Sequence, residues 1–209
     1  MTVATADLYS RDAFVTLPTL VPEGLCNYLA GYLNMLGDTG RLAPDRSAPG
    51  SWSIYGDPAF DLLLNALSAE VGERIGVALL PTYSFARIYG TGSELRRHSD
   101  RPACEHSASI LLGHDADPPW PLMLEDLHGN TIAVTQTVGD ALLYQGMRLV
   151  HWREPFEGQW HAQVFLHWVD ETGPRADERF DRRERLGLSA VRDLPPSEED
   201  RGTRVTAKR

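Results

Sequence analysis

From Pro81 to Val169 the chain reads as a succession of short alternating runs, each closed by turn residues and none shaped like a helix. The pattern predicts strands at Thr82–Tyr89, Leu95–Ser99, Glu105–Leu112, Pro121–Glu125, Thr131–Thr137, Ala141–Tyr144, Leu149–Arg153 and His161–Val169. The separators Gly90–Gly92, Asp115–Pro119, His128–Asn130, Gly139–Asp140 and Glu157–Gln159 are rich in residues suited to tight turns. Strands in such number, with no helices between them, point to a sandwich or barrel rather than a parallel α/β sheet. The expected architecture is mostly β: a jelly roll with helices packed outside one face.

Those helices come first in the chain. Val21, Leu25, Leu29, Tyr32, Leu33 and Leu36 recur at three- and four-residue steps behind Pro22, and Phe60, Leu63, Leu64, Leu67, Val71 and Ile75 do the same behind Pro58. The Gly/Pro/Asp/Ser-rich link between them, Gly37 to Gly56, is open to two readings, a lid or a long loop. One domain is expected, in three stretches: residues 1–80 as a helical part packing on the barrel, 81–170 as the jelly-roll core, and 171–209 as a charged tail. In that tail apolar residues thin out, so it is expected to be a solvated helix at most, followed by a disordered end.

Charge narrows the partners. The net charge is −9, and from Asp170 onward ten acidic side chains balance ten basic ones. The preceding body, with nineteen acidic and ten basic residues, carries the whole excess. Such a surface repels a phosphate backbone, so no nucleic-acid partner is expected. No apolar run approaches the length of a membrane helix. Residues 1–12 lack the basic and apolar regions of a secretory signal, and two cysteines, Cys26 and Cys104, are too few for a disulfide framework. A cytoplasmic protein is expected.

The segment with most chemical content is Arg87-Ile-Tyr89-Gly-Thr-Gly-Ser-Glu-Leu-Arg-Arg-His98-Ser-Asp100, followed later by Leu149-Val-His151-Trp-Arg153-Glu-Pro155. Side chains two apart on a strand share a face, so His98 and Asp100 can aim at one spot. A bare His-x-Asp pair can equally be an exposed polar turn. A distant His brought alongside by strand pairing would complete two imidazoles and one carboxylate. That set leaves half of an octahedral iron(II) sphere open to an oxo acid and O₂.

In this segment the sequence resembles the iron(II)/2-oxoglutarate-dependent dioxygenases, in particular their prolyl-4-hydroxylase-like branch. The branch has a Tyr, a glycine-rich turn and His-x-Asp nine residues after the Tyr, then a distal His with a Pro four residues beyond it. Tyr89 to His98, and His151 to Pro155, reproduce those steps. The resemblance implies a double-stranded β-helix, the cupin-like form of the jelly roll, with His98, Asp100 and His151 as iron ligands and catalytic centre. It implies hydroxylation of an unactivated C–H bond, with 2-oxoglutarate and O₂ as co-substrates and succinate and CO₂ as co-products. Retention of Asp100 sets the chain apart from related halogenases and makes it similar to the hydroxylases or desaturases of the family. Tyr89 matches a residue that often bonds 2-oxoglutarate.

The family usually places a Lys or Arg nine to ten residues after the distal His, where this chain has Trp160 and His161. The expected substitutes for binding the far carboxylate are Arg153, then Arg87, then a protonated His161. A small molecule, amino acid or peptide is the expected substrate. Two other readings stay open, a cupin-like metal protein without 2-oxoglutarate turnover and a binding module whose histidines are structural. Arg101 and Glu105 are read as structural, His106 and His167 as ordinary sheet residues, His114 and His128 as turn residues, and Trp120, Trp152, Trp160 and Trp168 as packing residues. Oligomeric state is not legible.

Overall fold

All eight strands read from the sequence are present in the computed structural model, which describes residues 4–188. The elements run α1 (Thr5–Asp12), β1 (Phe14–Leu17), α2 (Glu23–Asp38), β2 (Ala43–Pro44), β3 (Ser51–Tyr55), α3 (Pro58–Ile75), β4 (Leu79–Gly90), β5 (Leu95–His98) and β6 (His106–His114). They continue with β7 (Leu122–Glu125), β8 (Thr131–Val134), β9 (Ala141–Tyr144), β10 (His151–Arg153) and β11 (Trp160–Asp170). Two antiparallel sheets result, a larger one ordered β1-β9-β6-β11-β4-β3-β2 and a smaller one ordered β5-β10-β7-β8.

Strand alternation gives the larger sheet two unlike faces. On β11, Ala162, Val164, Leu166 and Trp168 join the apolar core under the helices. Their neighbours His161, Gln163, Phe165 and His167 point the other way, into the space between the sheets. Leu29, Leu33 and Leu36 of α2 and Phe60, Leu64 and Val71 of α3 complete the helical side of that core. Each such side chain contributes about 1.5–3 kcal/mol by leaving water. Asp57 caps α3 by accepting from the Ala59 amide at 2.9 Å, with Pro58 in the first turn. Its second oxygen accepts from the Tyr32 hydroxyl at 2.9 Å, which ties α2 to α3.

Three departures from the sequence expectations matter for the site. The link from Gly37 to Gly56 contains β2 and β3, and β3 pairs with β4 along its length, so part of the link extends the sheet. Residues before 81 therefore supply strands as well as helices, including β1, which pairs with β9. The beginning of the charged tail is not merely solvated: Arg183 is buried and pairs with Asp61 of α3 at 2.7 Å. The disordered end expected further on lies outside the described residues. None of the described helices is long and apolar enough to cross a membrane.

Candidate metal centre

β5 and β10 bring the two histidines together because they pair antiparallel with His98 opposite His151. Their rings lie 4.3 Å apart between centroids. Asp100 sits just past the end of β5, where its amide donates to the Gly146 carbonyl at 2.9 Å. Its Oδ1 lies 3.7 Å from His98 Nε2 and 3.6 Å from His151 Nε2. The three ligand atoms all fall within 4.8 Å of one another.

Backbone carbonyls fix the tautomers. His98 Nδ1 is 2.8 Å from the Arg96 oxygen, and His151 Nδ1 is 3.0 Å from the Leu149 oxygen. A carbonyl only accepts, so each Nδ1 carries the proton and each Nε2 turns a lone pair toward Asp100. Burial pushes the His151 imidazole below its ordinary value, against the pull of Asp100 in the other direction, which favours the neutral form a metal needs. His151 is deeply buried whereas the His98 side chain is 37% exposed, so the open side of the cluster is at His98.

Asp100 is held from behind. Ser107 Oγ donates to its Oδ2 at 3.3 Å, and Ser107 in turn lies 2.8 Å from His167 Nδ1. Burial pushes the His167 imidazole down to about 4. Gly146 packs so closely that a Cβ there would stand 2.7 Å from the Asp100 Cγ. Gly146→Ala is therefore expected to displace the carboxylate and weaken divalent-metal binding by about 10–100-fold, with the melting temperature of the metal-free protein little changed. Isothermal titration with cobalt(II) measures it, and unchanged affinity would show that the carboxylate has no part in binding.

Deeper between the sheets lies a buried cation without an acid. Arg153 is 2% exposed; its Nη1 donates to the Trp120 carbonyl at 2.8 Å and its Nη2 to Gln163 Oε1 at 3.0 Å. The Arg153 Nε has no partner, and among the described residues no carboxylate pairs with this guanidinium. Burial pushes it down to about 10, which still leaves it charged at neutral pH. Trp120 lies against it, 4.6 Å from ring centroid to guanidinium carbon.

The other basic candidates are otherwise occupied. Arg87 donates to Asp45 at 2.7 Å, to the Tyr89 hydroxyl at 2.7 Å and to Ser47 at 3.0 Å. Burial alone would raise the Asp45 carboxyl, but Arg87 and Ser47 outweigh it and hold the group below its ordinary value. His161 Nε2 bonds Gln163 Oε1 at 2.6 Å, and burial together with nearby Arg153 pushes the ring well below the ordinary imidazole value. His161 is thus neutral, which removes it as a cation. Arg101 and Glu105 form ion pairs as structural residues do, but with Asp181 and Arg175.

Asp45, Gln163, Ser107 and the carbonyls that accept the imidazole protons were not identified from sequence. Only Gln163 left a signal there, a polar residue at an inward position of a strand. A cavity of about 170 Å³ opens beside His98, walled by Tyr83, Phe85, Phe165, Arg87 and His167 among others. The larger groove of about 620 Å³ beside α3, near Asn65 and Gly76, lies away from this cluster and is a shallow surface feature.

No protein-family model and no curated protein matches the sequence. Solved structures do match the fold. The chain is similar to a prolyl-4-hydroxylase from Pseudomonas putida, with a TM-score of 0.68 and 17% identity over 79% of this chain and 97% of that one. It is also similar to a prolyl hydroxylase from Trichoplax adhaerens in complex with a hypoxia inducible factor peptide, at 0.69 and 15% over 84% and 89%. A third is HygX from Streptomyces hygroscopicus with nickel and 2-oxoglutarate bound, at 0.65 and 14% over 82% and 88%. This chain has the jelly-roll fold of the iron/2-oxoglutarate oxygenases.

Proposed function

We propose that this protein is a cytoplasmic iron(II)- and 2-oxoglutarate-dependent oxygenase that hydroxylates an unactivated C–H bond of a small molecule, amino acid or peptide. The observation that carries the reading is a pair of features in one inter-sheet space: the His98, Asp100 and His151 cluster, and the acid-free cation of Arg153. When bound, iron(II) and the oxo acid would supply the oxidising chemistry, in which one oxygen atom of O₂ enters succinate as CO₂ leaves and the other enters the substrate.

The protein's own residues have separate tasks. His98 and His151 present neutral Nε2 atoms, and Asp100 adds the negative charge that favours a divalent cation. Arg153 offers its charge to the far carboxylate of the oxo acid, with the partnerless Nε as a further donor. It is the substitute for the basic residue missing at the usual position. The Tyr89 hydroxyl accepts from Arg87, which leaves its own proton free for a ligand oxygen. Arg87, neutralised by Asp45, positions Tyr89 rather than competing for the acid. Two buried cysteines that form no disulfide fit a reducing compartment.

The test is an anaerobic visible titration of the apoprotein with iron(II), then 2-oxoglutarate. A weak metal-to-oxo-acid charge-transfer band is expected. Arg153→Leu should bind iron normally yet need about 100-fold more 2-oxoglutarate, since truncating one partner of a buried charged pair costs about 2–5 kcal/mol. Iron binding without a band would move the protein to the cupin-like reading. Absence of iron binding would leave a binding module.

A further inference from the structure

The cavity beside His98 is small, about 170 Å³, against the ~300–1,000 Å³ of sites that take drug-sized ligands. Three of its walls are the rings of Tyr83, Phe85 and Phe165. Of its polar walls, Arg87 already donates to Asp45, Tyr89 and Ser47. His167 differs.

The His167 side chain is 5% exposed, and its Nδ1 lies 2.8 Å from Ser107 Oγ. The Ser107 proton goes to Asp100, because a carboxylate can only accept. The serine oxygen must then receive the Nδ1 proton of His167. The relay His167 to Ser107 to Asp100 so leaves Nε2 without a hydrogen. Among the described residues nothing donates to that Nε2, and the ring lines the cavity. A bound 2-oxoglutarate dianion has only acceptors and cannot satisfy it. Any donor to Nε2 comes from the cavity side, from water or from a molecule bound there.

We infer that the substrate is a small molecule with a flat apolar body and a hydroxyl or amino group, and that His167 Nε2 accepts a hydrogen bond from that group. His167 is then a specificity-determining residue: it fixes the donor end and so chooses which carbon faces the metal. The inference rests on the oxygenase reading for what happens to the molecule, but the binding preference itself does not require a metal.

Ligand-detected NMR on the full chain tests it, with and without cobalt(II) and 2-oxoglutarate under argon. The probes are toluene, benzyl alcohol and benzylamine, one ring with three head groups. Benzyl alcohol or benzylamine should bind about tenfold more tightly than toluene, the scale of one well-made hydrogen bond. His167→Phe keeps a ring against Tyr83 but no acceptor, and should erase the difference. His167→Gln supplies a carbonyl acceptor and should retain part of it, which preserves the test should the Phe variant fail to fold. Equal binding of all three probes by the unmodified protein overturns the inference, as does an undiminished preference in His167→Phe or none in His167→Gln. A donor preference that persists while cobalt fails to bind sinks the metal reading and leaves the role of His167 standing.

Discussion

His151→Ala and Asp100→Ala should each abolish divalent-metal binding, by more than about 1,000-fold, beyond the 10–100-fold typical of residues behind the ligands. The size follows from geometry. His151 Nε2 and Asp100 Oδ1 are 3.6 Å apart, and His98 Nε2 completes the set at 3.7 Å from the same oxygen. With one removed, the two that remain are a pair such as many exposed surfaces offer. The fold should survive either change: His151 sits on a three-residue strand paired on both sides, and Asp100 lies in a loop held by its own amide. Cobalt(II) absorption read beside far-ultraviolet circular dichroism separates the two effects. Metal affinity within tenfold of the unmodified protein in either variant would remove that residue from the ligand set.

How this centre could be read in advance depends on which forces shaped each part. The strand-rich half was legible because turn residues close each short run, and on β11 the apolar residues under the helices alternate with the inward His161, Gln163 and His167. β3 was not, and its burial explains why. Ser51 and Ser53 are the buried residues while Trp52 is 48% exposed, so the polarity of the pattern is inverted. The grouping of His98, Asp100 and His151 was expected from the resemblance carried by the steps Tyr89 to His98 and His151 to Pro155. The Arg87–Asp45 pair was not, since nothing local links residues 42 apart until β3 and β4 pair. Arg153 could be named as a candidate cation, yet that it has no acid partner is a property of the packed interior alone.

The same limit applies to the tail, where the largest stability effect is expected. Arg182 and Arg183 are adjacent in a run of charges, but their side chains are 81% and 1% exposed. Arg183 Nη1 donates to Asp61 Oδ2 at 2.7 Å and Nη2 to the Thr82 carbonyl at 3.0 Å. Asp61 also accepts from the Ser84 amide and hydroxyl and from the Gly187 amide. One carboxylate thus fastens α3, β4 and the C-terminal segment. From that segment Asp181 reaches back to Arg101, the residue after Asp100, through contacts of 2.6 and 2.7 Å.

Asp61→Ala leaves a buried guanidinium with carbonyls for company and should cost about 3–5 kcal/mol, the usual result of breaking a buried pair from one side. For a chain of this size that lowers the melting temperature by roughly 10 °C. Arg183→Met should cost less, because the remaining carboxylate keeps three donors. The double variant Asp61→Ala with Arg183→Met should recover part of the loss, since no unpaired charge remains inside. Calorimetry on the three proteins decides the matter. Additive losses would mean that the two side chains act independently and that the pair does not hold the C-terminal segment over Arg101.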